Sequence, residues 1–174
     1  MATRRYETDE LTVLWDSSRC IHVAACIGSL PSVFDPNERP WVRPENASAE
    51  EVMRTIRRCP TGALRYERKD GGAPETGRPE TSIIPVPNGP LVLRGRLEVV
   101  TFEGETVTRE TRLSLCRCGH SANAPFCDNS HVTARWESHD PGPAPRASQA
   151  RERAASPAEV SAPQEEWFPE GDEQ

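Results

Sequence analysis

Apolar and polar positions alternate over Leu11–Trp15 (L-T-V-L-W), and the β-formers in the run make it a strand. Between Val23 and Leu30 the residues are small and apolar and suit a short helix, ended by Gly28 and Pro31. Phe34, Trp41 and Val42 supply aromatic and apolar bulk, the last two in a short strand after Pro40. Ser48-Ala49-Glu50-Glu51 reads as a capping box, and Val52, Ile56 and Cys59 recur behind it at helical spacing until Pro60 stops the helix. Ala63 to Tyr66 closes the segment as another strand. Residues 68–82 are polar, rich in Gly and Pro and without period, hence a linker or long loop. Beyond them Leu91-Val92-Leu93, Leu97 to Val100 and Thr111 to Leu115 read as strands of a small antiparallel sheet, broken by Asn88-Gly89-Pro90 and Gly104-Glu105. Residues 140–174 collapse into Pro, Ala, Ser and Glu and are expected to be a disordered tail, with Trp167 and Phe168 as the one candidate docking motif in it.

Composition turns this pattern into two small modules rather than one large one. The chain has 174 residues, of which 35% are hydrophobic, with 17 Pro and 11 Gly, too little for a single broad core. Modules of this size often depend on metal, and the six Cys are grouped as if for that use. The first ten residues carry Arg but no apolar stretch or small-residue cleavage site, and nothing approaches the ~20 apolar residues of a membrane span. Clustered Cys without an export signal point to a reducing cytoplasm and argue against disulfides and a membrane partner. A net charge of −6 and the lack of a basic stripe disfavour nucleic acid. No phosphate-binding glycine loop, nucleophile elbow, paired carboxylates or Ser-His-Asp arrangement is present, so the chain is not expected to be an enzyme.

The candidate chemistry is concentrated in Cys116 to His131, C-R-C-G-H-S-A-N-A-P-F-C-D-N-S-H. Three Cys and a His fall in one turn-rich segment, and thiolates with a neutral imidazole are ligands for iron–sulfur clusters or zinc. Asp128 is a good helix N-cap, which would put His131 at the third helical position facing the preceding loop. His120, one residue after Gly119, reads as a neighbour rather than a ligand. The segment closely resembles the CDGSH iron–sulfur family of the mitoNEET type, with pattern C-x-C-x2-(S/T)-x3-P-x-C-D-G-(S/A/T)-H. Cys116, Cys118, Ser121, Pro125, Cys127, Asp128, Ser130 and His131 match it, and Asn129 stands where the family has Gly. Asn tolerates a left-handed backbone better than most residues, so a strained turn there can survive. The resemblance implies a [2Fe-2S] cluster held by Cys116, Cys118, Cys127 and His131, strands forming a cap beside it, and the option of a homodimer. The alternative is a Cys3His zinc site, although zinc modules usually pair ligands as C-x2-4-C.

Upstream, Cys20-x5-Cys26 followed after a helix by Cys59-Pro60 resembles the divergent monocluster ferredoxins. Val23 stands at the place of a ligand Cys in the ordinary ferredoxin motif, which leaves Cys20, Cys26 and Cys59 and suits a [3Fe-4S] cluster; a [4Fe-4S] cluster would need a substitute such as His22. The fold class expected is α+β, a small ferredoxin-like module over 6–67 followed by a β-rich, zinc-finger-like CDGSH iron–sulfur module over 83–139. The function expected is electron transfer with a redox partner protein. The rival is a redox- or pH-sensing cluster carrier that hands its [2Fe-2S] unit to an apo-acceptor protein.

Overall fold

The computed structural model describes residues 3–139; the tail expected over 140–174, with Trp167 and Phe168, lies outside the described residues. The first half is built on a three-stranded antiparallel sheet of β1 (Arg4–Glu7), β2 (Leu11–Trp15) and β3 (Leu64–Arg68), with β2 in the centre. Leu11 and Val13 of β2 and Leu64 and Tyr66 of β3 point into a core completed by Val33, Phe34, Val42 and the helix α2 (Ala49–Ile56). Helix α2 begins at the capping box: Ser48 Oγ accepts from Glu51 N–H while the Glu51 carboxylate accepts from the Ser48 backbone N–H. Val52, Met53 and Ile56 form its buried face, each such side chain contributing roughly 1.5–3 kcal/mol relative to exposure. The helix ends at Ile56, so Cys59 does not continue it but sits in the turn that follows, its N–H donating to Ile56 O at 3.0 Å.

Two short elements differ in detail from the sequence pattern. The helix expected between Val23 and Leu30 is α1 (Ala25–Ser29), and it runs through Gly28 instead of stopping there. Trp41 and Val42 do not make a strand of their own; Val42 forms a single bridge to Phe34. A lone ladder rung suffices because Trp41 is held by packing, its ring 4.9 Å from Trp15 in an edge-on arrangement.

The second half is also a three-stranded antiparallel sheet, β4 (Ser82–Pro85), β5 (Leu91–Val100) and β6 (Thr106–Leu115), with β5 in the centre. The two apolar runs expected as separate strands over 91–100 are one strand carrying a register shift between Arg94 and Leu97. Gly95 makes the bulge at φ +147, where a Cβ would lie 2.9 Å from the Thr81 backbone. The segment before β4 is a long loop pinned to this sheet: Gly77 packs on the Gly95 carbonyl, and the Glu75 carboxylate accepts from Thr111 and Arg112. Few apolar side chains are buried here, Val92 and Leu113 among them. So small a core gives a sheet this size little independent stability.

What replaces a core is contact with the first half, since the described residues fall in one compact unit. Arg19 Nη1 lies 2.6 Å from Glu110 Oε1, both side chains buried, and Arg19 also donates to Thr61 O at 2.9 Å. Arg112 crosses the other way, donating to Ile56 O at 3.0 Å and Leu64 O at 2.8 Å. These charged side chains are buried because each finds carboxylate or carbonyl partners. Among the described residues, no helix is long and apolar enough to cross a membrane.

Candidate metal centres

The C-terminal site starts where β6 ends. Cys116 N–H donates to Pro125 O at 2.8 Å and Cys127 N–H donates to Ser114 O at 2.9 Å, so the outgoing strand and the returning loop lie side by side. Alternation along the extended chain turns Arg117 away from its two Cys neighbours. Its guanidinium donates to Val86 O at 2.6 Å and Gly89 O at 3.1 Å and lies 5.1 Å from the Trp136 ring. Cys116 and Cys118 are left on one side, Sγ to Sγ 3.7 Å. Gly119 reverses the chain at φ +77, and His120, exposed, directs its backbone N–H at Cys118 Sγ, 3.4 Å away.

The loop is closed by the residues that the CDGSH pattern shares. Ser121 Oγ donates to Phe126 O at 2.6 Å, and Asp128 accepts from Ala122 N–H at 2.8 Å and from Ser130 N–H at 3.0 Å. The Ser130 contacts first, then the Ala122 amide, hold the Asp128 carboxyl at about 2. Asp128 is therefore a loop clasp and not the N-cap of the helix. That place is taken by Asn129, in the left-handed region at φ 77, and α3 (Ser130–Thr133) follows. His131 accordingly stands at the second helical position rather than the third, with Nδ1 3.5 Å from Cys127 Sγ. The cause is the left-handed turn, which brings the Cys127 end of the loop against the helix start.

Both separations have a chemical meaning. Two sulfurs about 2.3 Å from one tetrahedral metal lie about 3.8 Å apart, and a sulfur and an imidazole nitrogen about 3.5 Å apart. Cys116–Cys118 and Cys127–His131 thus form two donor pairs, each with the spacing of ligands sharing one metal. Among the described residues no three of His, Cys, Asp and Glu gather to hold a single ion. Burial pushes the Cys116 thiol up, but the Ser121 and Gly119 amides and the Cys118 thiol outweigh it and hold Cys116 below the ordinary range. Cys127 is pushed up, by burial above all.

The N-terminal thiols also come together. Cys20 follows a 3-10 turn, Ser17–Arg19, capped by Asp16; Cys26 is the second residue of α1; Cys59 is in the turn after α2. All three line one small pocket of about 30 Å³ with Trp15, Trp41 and Leu64. The loop from Cys20 to Cys26 closes over it through left-handed backbone at His22 (φ 54) and Ala24 (φ 60). Burial raises the Cys20 and Cys26 thiols, and the negative charge of a Cys59 thiolate raises both further. His22 and Val23 both stand on the pocket rim, exposed. All six Cys of the chain are free.

The pocket holds a feature that sequence did not disclose. The indole Nε1 of Trp15 and that of Trp41 are buried with no hydrogen-bond partner. Trp15 acts on the Cys20 sulfur without completing a bond to it. Unpaired buried donors are costly, and the sulfurs of a cluster accept N–H groups, so three thiols with two free indole donors fit an iron–sulfur group. The only sequence signal was that both Trp flank the Cys positions.

The two sites also touch through their neighbours. Ser114 Oγ donates to the carbonyl of Pro60, next to Cys59, at 3.3 Å. Arg19, next to Cys20, lies 4.7 Å from the ring of Phe126, next to Cys127. Asn123 Nδ2 donates to Ser18 O at 3.0 Å.

Comparison with known proteins gives the same two modules in the same order. Residues 6–69 match the family described as a divergent 4Fe-4S mono-cluster, and residues 88–132 match the iron-binding zinc finger of CDGSH type. The chain is also similar to the uncharacterized protein YjdI of Escherichia coli K12 and of Escherichia coli O157:H7. Each is 29% identical over 66 residues, 38% of this chain and 87% of the relative.

Proposed function

We propose that this iron–sulfur protein is a one-electron carrier, not an enzyme, with a [2Fe-2S] cluster on Cys116, Cys118, Cys127 and His131 and a second cluster on Cys20, Cys26 and Cys59 of a ferredoxin-like module. The observation that carries the proposal is the pairing of donors at 3.7 and 3.5 Å, each pair spaced to share one metal, while among the described residues no three such donors gather around a single ion as one zinc would need. Iron–sulfur clusters supply reversible one-electron chemistry, and the protein supplies position and electrostatics.

The residues divide that task. Cys116, held below the ordinary thiol range, is the readiest thiolate; Cys127, pushed up, loses its proton as it takes metal. His131 in place of a fourth thiolate leaves the site one unit less negative, which raises its potential above an all-Cys site. At the N-terminal site three thiols, with Val23 exposed at the fourth place, support [3Fe-4S], whereas the [4Fe-4S] that the matched family's description names would need a fourth ligand such as His22; the Trp15 and Trp41 indoles would donate to either cluster. A reducing, cytoplasmic setting suits six free Cys.

A second reading, transfer of the [2Fe-2S] unit to an apo-acceptor, is favoured by the exposure of Gly119, His120, Ala122, Ala124 and Pro125 around the C-terminal ligands. Iron and sulfide analysis with electron paramagnetic resonance on anaerobically purified protein tests both cluster assignments. Zinc without sulfide would overturn the C-terminal one. Reduction by a partner without loss of the visible bands supports electron transfer, and stoichiometric passage of iron and sulfide to an apo-acceptor supports the second reading.

A further inference from the structure

A groove of about 710 Å³ is continuous with the thiol pocket, sharing Trp15, Cys20, His22, Ala24, Cys26 and Trp41 with it but not Cys59. Its volume is that of small-molecule sites, roughly 300–1,000 Å³. Tyr6, Trp15 and Trp41 form its aromatic wall, and Arg4, Arg5 and Arg39 line it with positive charge. Among the described residues no Asp or Glu lines it, although the chain carries 27 acidic residues against 21 basic ones. The charge here is therefore the inverse of the molecule's.

The three arginines are not equivalent. Arg5 is committed to Glu67 at 2.8 Å and Glu7 at 3.6 Å. Arg4 has no carboxylate partner among the described residues; its guanidinium lies 5.4 Å from the Trp15 ring. Arg39 donates to Pro36 O at 2.9 Å and Glu38 O at 2.7 Å, neutral carbonyls that hold the group in place without cancelling its charge. Two oriented, uncompensated guanidinium groups beside rigid aromatic rings match an anion attached to a planar ring. The guanidinium fork is matched best by phosphate or carboxylate.

We propose that this groove binds a planar aromatic phosphate of mononucleotide size, with the ring against the aromatic wall and the phosphate held by Arg4 and Arg39. An acidic loop of another protein would answer the charge but leave the concave aromatic volume unfilled. Cys20, Cys26 and the two indoles are shared with the proposed N-terminal cluster, so the titration is run on the cluster-loaded and the metal-free chain, and binding is expected in both.

The test is titration of the full chain with adenosine monophosphate, followed by calorimetry and tryptophan fluorescence. Saturable one-site binding is expected. Adenosine, which keeps the ring, and inorganic phosphate, which keeps the charge, should each bind at least about tenfold more weakly. Arg4→Ala and Arg39→Ala should each weaken the nucleotide about tenfold and leave adenosine unchanged, while Arg54→Ala, on the exposed face of α2, changes neither. Equal affinity for nucleotide and adenosine, indifference to both arginine variants, or no saturable binding would overturn the assignment. So would a glutamate-rich peptide that binds through the same arginines more tightly than the nucleotide.

Discussion

At the scale of single residues, the C-terminal donors stand in pairs, so on the proposed [2Fe-2S] assignment removal of one member would strip an iron of a donor its partner cannot replace. Cys118→Ser is expected to bleach the visible bands of the [2Fe-2S] unit while leaving those of the N-terminal cluster; full retention of the [2Fe-2S] spectrum would show that Cys118 is not a ligand. Val23 stands on the rim of the three-thiol pocket, 55% exposed. If the N-terminal cluster is the proposed [3Fe-4S], Val23→Cys should supply a fourth thiolate and convert an oxidised form that is paramagnetic into one that is diamagnetic, read directly by electron paramagnetic resonance. Asn129 replaces the CDGSH glycine in a left-handed turn at φ 77. A side chain without Asn's tolerance of that region has to bear the strain, so Asn129→Ala should lower stability by about 1 kcal/mol while Asn129→Gly keeps it, as measured by thermal melting.

At the scale of elements, the most secure reading from sequence was α2, because its start is written in local chemistry. Ser48 and Glu51 satisfy each other's backbone donors whatever the rest of the chain does. Ser48→Ala should cost about 1 kcal/mol, seen as a lower melting temperature, and should loosen the turn that carries Cys59. The strand Leu11–Trp15 was equally legible from its alternation, and it is β2 residue for residue. Elements whose identity depends on neighbours were less so. Within 91–100 Gly95 separates two apolar runs that prove to be one strand, because the bulge it forms is held against the backbone of Thr81, a contact outside the run. Asp128 is likewise chemically fit to cap α3, yet it is drawn into a clasp with Ala122, a contact across the loop that no local rule anticipates.

At the scale of the whole molecule, the two modules are joined by buried charge. Glu110 is enclosed with Arg19 and also lies 3.4 Å from Arg65, so neutralising it leaves a cation in a dry interface. Glu110→Gln is expected to cost about 3–5 kcal/mol, monitored by denaturant unfolding followed at both halves. If only the second half responds, the halves are energetically independent. This joint was invisible in the sequence, where Arg19, Glu110 and Arg112 look like ordinary surface charges, and where a Gly- and Pro-rich stretch separates two apparently self-contained patterns. What the sequence determined by itself was the periodic elements, the order of the two modules and the candidate ligand residues, because strand alternation, helix capping and donor type act over a few neighbouring residues. Only the tertiary structure decided which candidate ligands stand in pairs, which indoles lack partners among the described residues, and which charges are buried between the halves. Those depend on contacts between residues as far apart in the chain as Arg19 and Glu110, and no local preference encodes them.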